Sequence, residues 1–178
     1  MTVYTGKRGM ELENLINYTN QVYKNKGTAL IDKVPTPVKV LRKRGNRITE
    51  GFYENKSTVD YQGVYKGQAI CFEAKSTTAL RLPLKNIHKH QIDYLHEAQK
   101  LGAICFFIVE FTAQREVYLA PFDFIHLAVI NADKGGRKSI PYDDFNYYAA
   151  GMLQSQNGVP LDYLSAVDKL IDSNKNAG

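Results

Sequence analysis

The chain has 178 residues, 44% hydrophobic and 23% charged, which excludes a disordered or fibrous polypeptide and allows one domain with a sizeable core. A net charge of +5 favours a polyanionic partner, nucleic acid first, although charge alone does not name it. No apolar run approaches the ~18 residues of a membrane span, and the opening MTVYTGKRGM lacks the apolar core of a signal peptide, so a cytosolic protein is expected.

Residues Glu11 to Tyr23 carry Leu12, Leu15, Ile16, Val22 and Tyr23 at helical spacing. Glu11 and Glu13 favour the amino-terminal turn of that helix, and Gly27 stops it. Thr28 to Lys33 reads as a strand, after which Pro35 and Pro37 force extended backbone. Val38 to Ser57 is the least globular stretch. It places Lys39, Arg42, Lys43, Arg44 and Arg47 within nine residues, followed by Phe52, Tyr53 and Lys56. Two readings stand for it: a solvated hairpin tip, or a projecting basic arm whose cations meet phosphates and whose aromatics meet bases.

The stretch from Thr58 to Lys75, TVDYQGVYKGQAICFEAK, organises the rest. Two β-favouring runs flank Lys66-Gly67, and a glycine in the second turn position suits a two-residue hairpin. Tyr65 then pairs with Gln68, so paired positions sum to 133. Asp60 falls opposite Glu73 and Thr58 opposite Lys75, with all four side chains on one face. Opposed residues have Cβ atoms ~4.5–5.5 Å apart, and two carboxylates that close need a cation between them. A hard divalent ion with oxygen ligands answers that need, and Asp followed by Glu-x-Lys is the set that metal-dependent phosphodiester cleavage uses. The competing reading is an ordinary charged solvent face. A bulge at Gly63 would slip the register and turn Asp60 away.

Ala79 to Leu84 reads as a loop around Pro83, and His88 to Lys100 as a helix with Ile92, Leu95 and Ala98 on one face, closed by Gly102. The nearly all-apolar Ala103 to Phe111 suits a central strand covered on both faces. Glu116 to Ala120 is the next strand, and Pro121 opens a short helix through about residue 130. Lys134 to Ile140 is a basic, glycine-rich turn. Pro160 opens a last helix with Leu161, Leu164, Val167, Leu170 and Ile171 as its stripe. Cys71 and Cys105 lie in apolar strand-like runs without metal-ligand spacing, which fits buried reduced thiols. His88, His90 and His96 read as surface or packing residues rather than a zinc set. The expected architecture is α/β with a mixed sheet.

The ordered stretches KRGMELE (7–13), PTPV (35–38), STVDYQGVYKG (57–67), FEAK (72–75), LPLKNIHKHQI (82–92) and GGRKSI (135–140) resemble RecU-type Holliday junction resolvases of the PD-(D/E)xK nuclease superfamily. The resemblance implies a restriction-endonuclease-like mixed sheet flanked by helices, with a projecting basic hairpin or stalk at about 38–57 inserted in a single nuclease domain. It implies metal ligands at Thr58, Asp60, Glu73 and Gln91, with Asp60, Glu73 and Lys75 catalytic and Lys75 stabilising the transition state. Glu13 matches an acidic first-helix position of related archaeal resolvases. The candidate DNA contacts are Arg8, Arg42, Lys43, Arg44, Arg47, Lys56, Arg137 and Lys138. One departure is Cys71, which stands where family members often have Asp.

The function so implied is a Mg²⁺-dependent endonuclease, with Mn²⁺ as a substitute ion, that nicks four-way DNA junctions symmetrically. Its expected partners are branched DNA and a second copy of the chain, with a recombinase as a further candidate and no membrane. Two rivals remain from the sequence: a same-fold endonuclease for other branched or duplex DNA, and a catalytically silent junction-binding module.

Overall fold

The computed structural model describes residues 6–53 and 58–176. Helix α1 (Gly6–Asn25) is followed by β1 (Ala29–Lys33) and by a separate ribbon of β2 (Val38–Arg44) and β3 (Arg47–Tyr53). The hairpin β4 (Tyr61–Tyr65) and β5 (Gln68–Thr77) leads to the short β6 (Arg81–Pro83), helix α2 (Lys89–Lys100) and strand β7 (Ile104–Phe111). Then come β8 (Glu116–Pro121), α3 (Phe122–Asp133), β9 (Ser139–Pro141), α4 (Tyr142–Tyr148), β10 (Gly151–Met152) and α5 (Leu164–Asn176). Among the described residues no helix is long and apolar enough to cross a membrane.

One six-stranded sheet runs in the order β1-β4-β5-β7-β8-β10. Only β5 and β7 are parallel; the other neighbouring pairs are antiparallel. A parallel pair needs a long crossover, and α2 sits in the segment that makes it, which brings its first turn back over β5. The mixed α/β sheet is therefore as the sequence led us to expect. So is the covered central strand. Along β7, Phe106 and Ile108 enter one core while Cys105, Phe107, Val109 and Phe111 enter the other.

The first core lies under α1 and α5, where Leu12, Ile16 and Val167 pack on Ile31, Phe72 and Phe106. Tyr61, Phe72 and Phe106 stack with centroids 4.8 and 4.7 Å apart. The second core lies under α2, α3 and α4, and includes Leu82, Leu95, Phe122, Ile125 and Phe145. Burial of each such side chain contributes ~1.5–3 kcal/mol. Cys71 and Cys105 are buried free thiols at register-paired positions of β5 and β7.

Helices α1 and α2 end as anticipated, at Gly27 and Gly102. In both cases the amide after the glycine bonds a carbonyl five residues back (Thr28 to Tyr23, 2.9 Å; Ala103 to Ala98, 3.0 Å), which closes a Schellman motif. Other boundaries differ from expectation. Helix α1 begins at Gly6 rather than at Glu11, and α3 continues to Asp133. The presumed loop at 79–84 contains β6, whose Leu82 pairs with Ile140 of β9 at the end of the presumed basic turn. The last helix starts at Leu164, not Pro160. The intervening turn lets Tyr163 plug the core against Phe72 and Tyr23, with its hydroxyl on Asn20.

The β4–β5 register is the expected one, with Tyr65 on Gln68 and Tyr61 on Phe72. Lys66 and Gly67 turn the chain with φ of 50° and 78°, the left-handed pair of a type I′ turn. Gly63 makes no bulge, because it pairs regularly with both Ile31 and Ile70. Its lack of a side chain serves close packing instead. A Cβ there would lie 2.1 Å from the Leu30 carbonyl oxygen and 2.6 Å from Ile31 Cα.

Candidate active site

The hairpin ladder stops at Tyr61–Phe72, and from there side chains replace main-chain pairing. The Asp60 amide donates to Glu73 Oε1 at 3.0 Å, and the Ala74 amide donates to Asp60 Oδ2 at 3.0 Å. The Asp60 carbonyl accepts from the Val34 amide at 2.8 Å, which fastens the same point to the end of β1. Asp60 and Glu73 are thus locked together as the pairing rule required, although by side chains rather than by the ladder. Thr58 departs from expectation. It lies in an exposed bend before β4 and is not paired with Lys75.

Glu73 is fully buried, with Lys75 Nζ 2.9 Å from its Oε2. Burial pushes the Glu73 carboxyl up to about 8; the Lys75 ammonium pulls it down and the Asp60 charge pushes it further up. From α2, Gln91 donates its amide nitrogen to Glu73 Oε2, while its Oε1 accepts from the His88 amide at 3.1 Å. That second contact belongs to a capping box at the start of the helix. Gln91 therefore reaches Glu73 from a different element, and it shows its nitrogen rather than its oxygen to the carboxylate.

Among the described residues no group of three or more His, Cys, Asp or Glu could hold a metal ion. The two carboxylates Asp60 and Glu73, locked together, are hard oxygen donors of the type that suits Mg²⁺ or Mn²⁺. The buried Glu73 supports that fit. Ionising it in this place calls for more positive charge than the neighbouring Lys75 supplies.

The other candidates are dispersed. Glu13 forms an ion pair with Lys33, and its carbonyl accepts from the Tyr61 hydroxyl at 3.3 Å. That hydroxyl also contacts Asn17 Oδ1 at 3.1 Å. Tyr61, which the sequence did not single out, adds a hydrogen-bonded tie from α1 to the hairpin. In the ribbon, every residue of β2 and β3 is exposed. Arg42 meets Glu50 at 3.3 Å, while Lys43, Arg44 and Arg47 have no ion-pair partner among the described residues. Arg137 is exposed, and Lys138 donates to the Ala132 carbonyl, where a cation offsets the carboxyl end of the α3 dipole. Lys56 and the side chain of Arg8 lie outside the described residues.

A family profile, RecU or recombination protein U, matches residues 7–169. The chain is 42% identical over 176 residues to a Holliday junction resolvase RecU of Ligilactobacillus salivarius, covering 96% of this chain and 81% of that one. It is 41% identical over 174 residues to the Holliday junction resolvase RecU of a Geobacillus species, covering 93% and 85%. For the namesake of Pediococcus pentosaceus the figures are 37% over 174 residues, with 94% and 86% covered. Among solved structures it is similar to the Holliday junction resolvase Hjc of Archaeoglobus fulgidus, with a TM-score of 0.44, 10% identity, and 75% and 93% of the two chains covered.

Proposed function

The chain belongs to the RecU family, and from that premise and the site's geometry we propose that it is a Mg²⁺-dependent endonuclease resolving four-way DNA junctions. The observation that carries this reading is the buried Glu73 carboxylate, clamped to Asp60 and 2.9 Å from the Lys75 ammonium. Relatives described as Holliday junction resolvases supply the substrate class. The whole chain acts as one nuclease domain carrying the β2–β3 ribbon as its stalk, and it works in the cytoplasm.

Asp60, Glu73, Thr58 and Gln91 would hold the ion, Mg²⁺ or Mn²⁺. When bound, such an ion polarises the scissile phosphate and acidifies an attacking water. To offer its oxygen to the ion, Gln91 would turn its amide over and give up the bond it accepts from the His88 amide. Lys75, held beside Glu73 by their ion pair, stabilises the negative charge that develops on the phosphate oxygens. Glu13 acts at one remove, by fixing Lys33 and, through its carbonyl, Tyr61. The ribbon cations Arg42, Lys43, Arg44, Arg47 and Lys56 meet junction phosphates, as do Arg8, Arg137 and Lys138. Two symmetric cuts require two sites, so the working form is a C₂ homodimer, with a recombinase as a further partner.

The test is nicking of four-way, three-way, flap and linear DNA in Mg²⁺ by wild type, Asp60→Asn and Glu73→Gln. Wild type should nick the four-way junction best, and both variants should lose nicking while binding the junction as tightly or more so. Near wild-type nicking by either variant would remove the two carboxylates from the chemistry. Equal cleavage of linear DNA would point to a general nuclease of the same fold.

A further inference from the structure

Two groups of exposed cations without a carboxylate partner stand out among the described residues. One is the β2–β3 ribbon. The other is an edge formed by Arg81, Lys85, Lys134, Arg137 and Lys138, of which Arg81, Lys85 and Lys134 have no role in the proposed function. Lys89, nearby, is neutralised by Asp93 at 2.7 Å.

The Arg81 and Lys85 part of that edge lies along the chain between the elements that carry the candidate active site. Thr77 lies two residues, ~7 Å of strand, beyond Lys75, and its hydroxyl donates to the Arg81 carbonyl at 3.2 Å. Arg81 opens β6, which pairs with β9. The Leu84 amide then donates to the Lys138 carbonyl at 3.0 Å. Lys85 and Arg137 are the next residues outward from that bonded pair. Six residues after Lys85, Gln91 reaches Glu73. The edge is therefore the rim that joins the two elements supplying Glu73, Lys75 and Gln91.

A phosphodiester held at Glu73 and Lys75 is one unit of a polymer carrying a charge every ~3.4 Å along each strand. The strand has to continue past the site, and the carboxyl end of β5 points toward this rim. We propose that Arg81 and Lys85, together with Arg137, form a ledge that binds backbone phosphates of the duplex arm adjoining the scissile phosphate. The ledge is distinct from the ribbon. It reads the arm as a duplex and carries no preference for a four-way centre. The proposal rests on the nuclease reading for what lies in the site, but its readout is binding.

The experiment measures binding of a four-way junction and of a linear duplex in Ca²⁺, over a salt series. It compares wild type with Arg81→Gln/Lys85→Gln and with Arg81→Glu/Lys85→Glu. Losing two phosphate contacts should lower the log–log salt slope by ~1.8. Affinity for junction and for linear duplex should fall by the same factor, and more in the Glu variant, since backbone phosphate contacts carry no information about the four-way centre. An unchanged slope in both variants would overturn the ledge, as would a loss confined to the junction. Failure of wild type to nick any DNA in Mg²⁺, with the slope still dependent on Arg81 and Lys85, would overturn the nuclease reading and keep the ledge.

Discussion

Glu73→Gln removes the one carboxylate among the described residues that is both fully buried and raised to about 8. Its ordinary value is 4.5, and a pH unit is worth ~1.36 kcal/mol. A folded-state value above the unfolded one means that the native protein holds the proton more tightly. The stability this gives is complete below 4.5 and is lost as pH rises through about 8. Without divalent ions, because the unfolded chain gives up this proton first, the native state should lose under ~1 kcal/mol of stability by pH 5, ~3 by pH 7 and nearly 5 by pH 9. The amide cannot ionise, and its own fixed cost is the same at every pH. Urea unfolding in chelator from pH 5 to pH 9 should therefore show Glu73→Gln gaining ~4 kcal/mol on wild type across the range. Mg²⁺ should restore wild type most at pH 9, because it favours the ionised carboxylate. Curves that stay parallel within ~1 kcal/mol would show that Glu73 is already ionised at neutral pH, and would refute the argument that burial leaves it short of positive charge.

Lys75→Ala should leave junction binding intact and lower the single-turnover rate on prebound junction by ~10²–10³; Lys75→Arg should rescue little, since a planar guanidinium does not replace a compact ammonium. A wild-type rate in the folded Ala variant would rule out a chemical role. Replacing Arg42, Lys43, Arg44 and Arg47 together should lower the salt slope of junction binding by ~0.9 per lost contact, and an unchanged slope would leave the ribbon as a solvated tip. Gly63→Ala should strongly destabilise the protein, because its Cβ would meet backbone of β1 at 2.1 Å; a change below ~1 kcal/mol in the unfolding midpoint energy would show that β1 moves aside freely.

The hairpin was legible because alternation and the Lys66-Gly67 turn are local signals, and they set a register that placed Asp60 against Glu73. The extension of that register to Thr58 failed because the ladder ends at Tyr61. A side-chain clamp begins there, and periodicity does not distinguish the two. Gln91 could not be read from geometry at all. Its contact with Glu73 depends on how a crossover helix docks, and only the family resemblance pointed to it. The three-residue strands β6 and β9 are too short to show alternation, so the rim built from them looked like two unrelated loops. Gly63 shows a further limit: a glycine between strand residues signals a bulge and a close approach equally well, and only the position of β1 decides.

The β2–β3 ribbon has every residue of both strands exposed, and an isolated two-stranded hairpin is at best marginally stable in water. Its amides should then exchange with solvent through local opening at a small free energy, while those of β7, buried between two cores, wait for global unfolding. The ribbon is in that sense thermodynamically uncoupled from the sheet that carries the carboxylates. Its sequence can drift, or be exchanged for that of a relative, with little effect on the melting temperature. On the proposed DNA-facing role of its cations, preference among branched DNAs would be retunable there without any compensating change in the core.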